Sequence, residues 1–317
     1  MKKLTFFASL IISALALYLA FSNLNLKEAF AYMKRMNPWD LLAGSLIFVI
    51  SFLLRGIRWK LILKKSSGIS LPLATANIFI GQFGNNILPW RMGDVWRTIM
   101  LKRMVDLPLV SGGVGLGVER LYDGIVIVTM GIVASSYYAI HTRMLKTLYT
   151  LLGVLIGVFV ILLLFLRIFG HREGRFIQNL SRGIDSLKNP RDFLFLLAFS
   201  FFIWTVESVS FYYFFLAAGF SLRILEIFLV VAILNLVLLL PAAPASLGTF
   251  EYAIVFATKL LSIPKEASLP LALVIHFLRF LSINVVAVLF AFLLGLSLKR
   301  EIKEVEKEAD KVEAEVL

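Results

Sequence analysis

Ionisable side chains stand inside stretches of this sequence that are otherwise almost wholly apolar, and their spacing gives them chemistry to do. Arg91, Asp94 and Arg97 recur at helical intervals, and Glu119, Arg120 and Asp123 follow in the next apolar run. Glu119 and Asp123 are four residues apart and share a helix face, and Arg120, three residues before Asp123, is placed to reach its carboxylate. Glu207, Glu251, His276 and Arg279 lie at comparable depth in later apolar segments. An ionisable group at the centre of a membrane helix costs at least about 2.5–3.5 kcal/mol, so such groups pair or line a polar cavity. Arginine offers a permanently charged fork that matches phosphate oxygens two at a time. Arg91, Arg97, Arg120 and Arg279 are therefore candidate ligands for a phosphate-bearing lipid headgroup. Asp94, Glu119 and Asp123 would hold these forks in place, and Glu251 would balance Arg279. The competing reading is a set of interhelical ion pairs with a purely structural role.

Other chemistries find no support. The chain has no cysteine, which excludes disulfides, thiolate metal sites and cysteine nucleophiles. Its three histidines, His141, His171 and His276, are far apart, so no metal centre and no cofactor are expected. Ser246 and Ser282 have no base nearby in sequence, and no phosphate loop of Walker type is present, so no catalytic residue is assigned. Carboxylates and arginines inside a membrane also occur in enzymes that act on lipids, which keeps an intramembrane enzyme as the alternative.

These residues need a scaffold, and composition defines it. With 60% hydrophobic residues and 28 phenylalanines, the chain is too apolar for a soluble globule and reads as an all-α integral membrane protein. A net charge of +12 raises the question of nucleic acid. The basic residues, however, flank apolar runs, where they set topology and meet anionic lipid headgroups, so membrane lipids are the expected partners and nucleic acid is not.

Six full spans are expected, over about Leu4–Phe21, Trp39–Leu54, Val110–Ala139, Leu148–Phe169, Phe193–Ala217 and Ala267–Leu296. The first apolar run is longer than a signal-peptide core and is read as retained. Two further stretches are interrupted. One, Leu71 to Arg103, breaks at Gly84-Asn85-Asn86 and Pro89 and continues through Gly93; the other, Ile224 to Leu261, breaks at Pro241 and Pro244 ahead of Gly248. Backbone that leaves helical pairing within a bilayer survives only if buried in protein or lining a cavity.

Basic clusters at Arg55–Lys65, Arg91–Arg103 and Arg167–Arg191 all fall on the cytoplasmic side only if the first stretch dips in and returns. The second must then enter from outside. The expected architecture is six spans and two re-entrant segments arranged as inverted repeats, in the cell membrane, with both termini cytoplasmic. The apolar positions between Gly170 and Arg191 predict an amphipathic helix on the cytoplasmic face. Residues 1–298 form the membrane domain and 299–317 a charged cytoplasmic tail.

Asn86-Ile87-Leu88-Pro89-Trp90-Arg91-Met92-Gly93-Asp94 with Arg97, then Glu119-Arg120 with Asp123, and Arg58-Trp59 after the second span, resemble the lysylphosphatidylglycerol synthase transmembrane region, or UPF0104 flippase-like family. The likeness covers nearly the whole chain except the tail. In the second interrupted stretch the family pattern is Pro-x-x-Pro-Gly-Gly-x-Gly-x-x-Glu. Here Pro241, Pro244, Gly248 and Glu251 fit, while Ala245 and Ser246 replace the two glycines. The resemblance implies a flippase-like fold that moves a lipid, such as an aminoacylated phosphatidylglycerol, between leaflets. Another phospholipid or a polyprenyl-linked glycan fits equally. No soluble aminoacyl-transferring domain accompanies the membrane region, so no lipid lysinylation is expected.

Overall fold

A computed structural model describes residues 2–22, 24–64, 67–88, 91–137, 142–169, 180, 183–184, 187, 189–240, 242–297 and 302. Among them every regular element is helical: α1 (Lys2–Phe21), α2 (Leu26–Arg35), α3 (Pro38–Leu63), α4 (Leu71–Ile87), α5 (Met92–Val105), α6 (Leu109–Tyr137), α7 (Thr142–Phe169), α8 (Pro190–Ala217), α9 (Ile224–Val237), α10 (Thr249–Leu260) and α11 (Lys265–Leu293). A short 3-10 turn, Pro244–Ser246, precedes α10. The all-α class read from composition is the one observed among the described residues. Three helices, α3, α8 and α11, are each long and apolar enough to cross a membrane. At 29 residues α6 is equally long, and its apolar character is interrupted by Glu119, Arg120 and Asp123.

Local sequence explains where the helices start. Asn37 accepts the Trp39 N–H at 3.0 Å just ahead of Pro38, which needs no N–H partner at a first helical position. Asn189 repeats the device before Pro190, accepting from the Arg191 N–H at 3.0 Å. Asn25 and Ser70 cap α2 and α4 through their side chains.

Two expectations are corrected, and one helix is added. The second span does not stop at Leu54: α3 runs on to Leu63, and Arg58 and Trp59 lie fully buried within it. The added helix follows α1, where Leu26–Arg35 are turned 87° from Leu10–Phe21. Asn85 and Asn86 do not break the first interrupted stretch. They complete the last turn of α4, and the break follows, with Leu88 extended and Arg91 left-handed at φ 56° ahead of α5. Pro89, Pro241, nearly all of the proposed amphipathic helix and the tail except Ile302 lie outside the described residues.

The chain folds into two compact units, each holding one interrupted stretch. The first-break unit comprises residues 52–123, 155–201 and 283–317. In it α4 and α5 pack as an antiparallel hairpin. Asn77 donates to the Arg97 carbonyl at 2.9 Å near the open end, and Asn85 donates to Asp94 at 3.2 Å near the break. Glycine allows the close approach: a Cβ on Gly84 would stand 2.7 Å from the Gly93 Cα, and a Cβ on Gly93 would collide with the Gly81 carbonyl. Around this hairpin Ala76, Ile80, Trp96, Ile99, Met100 and Ala291 form a buried apolar cluster.

The second-break unit comprises residues 1–51, 124–154 and 202–282. Within it α9 packs against α10, and α10 against α1. Ser13 of α1 accepts the Ala243 N–H at 2.8 Å, and a Cβ at Gly248 would run into the Ser13 carbonyl. With φ at 85°, Gly248 needs its conformational freedom as well as the space.

Candidate functional site

The first-break unit gathers six of the eight residues proposed from the sequence as headgroup ligands or supporting carboxylates, on α5, α6 and the residue before α5. At its centre Glu119 accepts from Arg97 at 2.7 Å and 3.5 Å. The Arg97 guanidinium also donates through Nε to Asn77 at 3.3 Å and lies 4.3 Å over the Trp59 ring. Both partners are about 95% buried, so each charge depends on the other: an unpaired ion there would carry its desolvation cost alone.

Asp123 is not held by Arg120, as helical spacing suggested. Arg58 of α3 grips it with both terminal nitrogens, at 2.6 and 3.0 Å, and reaches Ser200 of α8 at 2.9 Å. Arg55 approaches the same carboxylate at 3.6 Å. Two parallel N–H···O bonds from a neighbouring helix outcompete a partner three residues away, whose side chain would have to fold back along its own helix. Arg120 turns instead to Asp94 across the gap to α5, at 3.0 and 3.1 Å.

The network therefore has a closed part and an open part. Arg58, Arg97, Glu119 and Asp123 are sealed inside the protein. By contrast, the Arg120 and Arg91 side chains are 43% and 54% exposed, and both converge on the single carboxylate of Asp94, Arg91 at 3.8 Å. Gly93, one residue earlier, supplies the tight hairpin contact that brings Asp94 under both forks. Asn86, also predicted for this region, donates to Asn284 of α11 at 3.0 Å and ties the end of α4 to that helix.

Arg279 and Glu251 belong to the second-break unit, and they do not pair. Arg279 donates to Glu207 at 2.8 Å and is flanked by Phe48 at 3.9 Å and Phe211 at 4.9 Å, a cation held by one carboxylate and two ring faces. Glu251 meets His276 Nδ1 at 2.6 Å and accepts the Gly248 N–H at 2.8 Å. Its place three residues into α10 dictates the second bond, since a carboxylate there reaches back to a free N–H at the helix start. Glu207 answers Arg279 because their segments pack together, which no sequence spacing reveals. Pro244 opens the 3-10 turn, and Ala245 and Ser246 both adopt left-handed backbone, at φ 56° and 60°. Both residues that stand where the family pattern has glycine thus carry a Cβ in a backbone region that favours glycine.

Arg55, Arg58, Asn77 and Ser200 were missed as members of the network. The signal for Arg58-Trp59 was present in the motif, but a run of basic residues after an apolar segment reads as a helix end at an interface. No group of three or more metal-ligating side chains occurs among the described residues.

Fold and site together define a multi-helix membrane protein with a buried arginine–carboxylate network beside an interrupted helix pair. Residues 6–296 match the lysylphosphatidylglycerol synthase TM region, and the chain belongs to that family. It is 24% identical over 234 residues to the UPF0104 membrane protein MJ1078 of Methanocaldococcus jannaschii, a match that covers 70% of this chain and 98% of that protein. A second similarity, 33% identity over 123 residues, is to the glycosyltransferase AglD of Haloferax volcanii. It covers 38% of this chain and 20% of that much longer protein.

Proposed function

We propose that this protein moves a phosphate-bearing lipid between the leaflets of the cell membrane, with the first-break unit receiving the headgroup. One observation carries the reading: two half-exposed guanidinia, Arg91 and Arg120, share the single carboxylate Asp94. An anion that enters here meets two forks and needs to displace just one internal partner, and phosphate geometry suits both forks. Arg97 and Arg279 then serve differently from the other two candidates. Arg97, sealed against Glu119 and Trp59, braces the hairpin, and Arg279, held by Glu207 and two rings, braces the other unit.

In this reading α4–α5 dips in from the cytoplasm and α9–α10 from outside, as two re-entrant segments of an inverted repeat, with both termini cytoplasmic. Helices of 17 and 14 residues support the dip, because at 1.5 Å per residue each is about 21–26 Å long and short of a roughly 30 Å core. The test is lipid movement in vesicles carrying labelled phosphatidylglycerol. The wild type should move the lipid, and Arg120→Lys, which keeps the charge and loses the fork, should slow it about tenfold, the size of one charged hydrogen bond. A rate equal to protein-free vesicles refutes the transport reading.

An intramembrane enzyme acting on a lipid-linked substrate is favoured by the glycosyltransferase name of one relative, although that match spans a fifth of the relative's length. Mass spectrometry of the same vesicles separates the two. A transporter returns the lipid with unchanged mass, and an enzyme returns it altered.

A further inference from the structure

His276 sits between two acceptors. Its Nδ1 is 2.6 Å from a carboxylate oxygen of Glu251, and its Nε2 is 2.9 Å from the carbonyl oxygen of Ala245. A carbonyl can only accept, so Nε2 must carry a hydrogen. The Nδ1 contact needs one too, either on the ring or on the carboxyl. Two hydrogens thus occupy three sites, Nδ1, Nε2 and the Glu251 oxygen. A neutral imidazole beside an ionised carboxylate has one. The pair therefore holds an extra proton, as imidazolium with carboxylate or as neutral imidazole with carboxylic acid.

The surroundings suit such a site. The Glu251 and His276 side chains are 2% and 13% exposed, and the Phe250 ring stacks on the imidazole at 4.5 Å. The second Glu251 oxygen is occupied by the Gly248 N–H at 2.8 Å. Among the described residues, the charged groups placed around His276 are Glu251 on α10 and, one turn along α11, Arg279, whose guanidinium is bonded to Glu207 of α8. From α1 comes the uncharged Ser13 hydroxyl, which holds Ala243 at the other end of the turn.

We propose that His276 and Glu251 form a proton-binding site whose occupancy latches the second break, so that lipid movement through this protein is coupled to a proton. The coupling rests on the transport reading, and the latch does not. When the extra proton leaves for solvent, the one that remains is drawn to Nδ1, where the carboxylate makes the stronger, charge-assisted bond. Nε2 is then a bare lone pair facing the Ala245 oxygen, and that contact turns repulsive. Ala245 and Ser246, in the left-handed region at φ 56° and 60°, lose the side chain that restrains them. Proton release thus opens the turn between Pro244 and Gly248, and proton binding closes it.

The test uses the full chain in lipid nanodiscs with nitrogen-15 histidine. Replacing His141 and His171 by glutamine leaves His276 as the one reporter. Nitrogen chemical shifts across pH, with the infrared carboxyl band of Glu251 assigned by Glu251→Gln, count the protons. Amide hydrogen exchange over residues 243–250 reads the latch. Two hydrogens on the pair at the acidic end of the titration, and exchange about tenfold faster once one is lost, are expected. One hydrogen at every pH, or exchange that ignores its loss, overturns the proposal. In vesicles, lipid movement by the wild type should follow an imposed pH gradient, and Glu251→Gln should abolish that dependence. Movement indifferent to the gradient overturns the coupling and leaves transport standing, whereas no movement refutes transport and leaves the latch to the spectra.

Discussion

The two interrupted stretches solve one problem, an irregular backbone within apolar surroundings, by opposite means. In the first-break unit the helices close on each other through glycines, and two charged residues of α6, Glu119 and Arg120, pair with Arg97 and Asp94 of the hairpin. In the second-break unit α9 carries one ionisable residue, Glu226 at its very start, and the turn is held by a hydroxyl of α1 and a histidine. Arginine does not lose its proton under physiological conditions, so the first arrangement is fixed. The second rests on a histidine–glutamate pair, which the proposed latch makes adjustable. Under the proposed function, a headgroup site needs charge that persists, and the proposed latch needs an interaction that can be withdrawn.

The contrast can be broken most forcefully at Asp123. Asp123→Leu takes from Arg58, which is fully buried, its two-pronged partner, leaving Glu119 at 3.6 Å, and should cost about 3–5 kcal/mol. Arg58→Leu combined with Asp123→Leu should recover most of that loss, because the uncompensated charge is gone. Thermal unfolding in detergent checks both. Next in size, Gly93→Ala drives a methyl into the Gly81 carbonyl and should cost about 1–3 kcal/mol, with the hairpin separating or distorting. Arg97→Gln paired with Glu119→Gln in a double-mutant cycle should show a coupling of about 0.5–3 kcal/mol. The same cycle on Arg120 and Asp94, half exposed, should give about 0–1 kcal/mol. At the second break the effect should be smallest and of opposite sign: Ala245→Gly removes a Cβ from left-handed backbone and should stabilise the turn by up to about 1 kcal/mol.

Much of this was legible in the sequence, and for physical reasons. Apolar runs long enough to span a bilayer announce helices directly, so α6, α8 and α11 begin and end within a few residues of the expected bounds. Embedded charges stand out because they are expensive, which is why Arg97, Glu119 and Asp123 were singled out before any partner was known. Which charge meets which was not legible. Helical spacing favours Arg120 with Asp123, yet Arg58, 65 positions away, holds Asp123 because α3 lies alongside α6. The Asn85-Asn86 break failed for a related reason: both amides find tertiary partners, Asp94 and Asn284, and the helix continues through them. His276 was noticed as an embedded charge, but its meaning lies in two acceptors on either side, one of them a backbone carbonyl that sequence cannot place.

The arrangement of the two breaks as opposed re-entrant segments is tested most directly by side-specific labelling, since the chain has no native cysteine. Lys102→Cys reports the end of the first hairpin, and Leu247→Cys, at a half-exposed position beside Gly248, reports the second turn. In oriented membrane vesicles an impermeant thiol reagent should reach position 102 from the cytoplasmic side alone and position 247 from the outer side alone. Labelling of both positions from the same side would contradict the opposed arrangement.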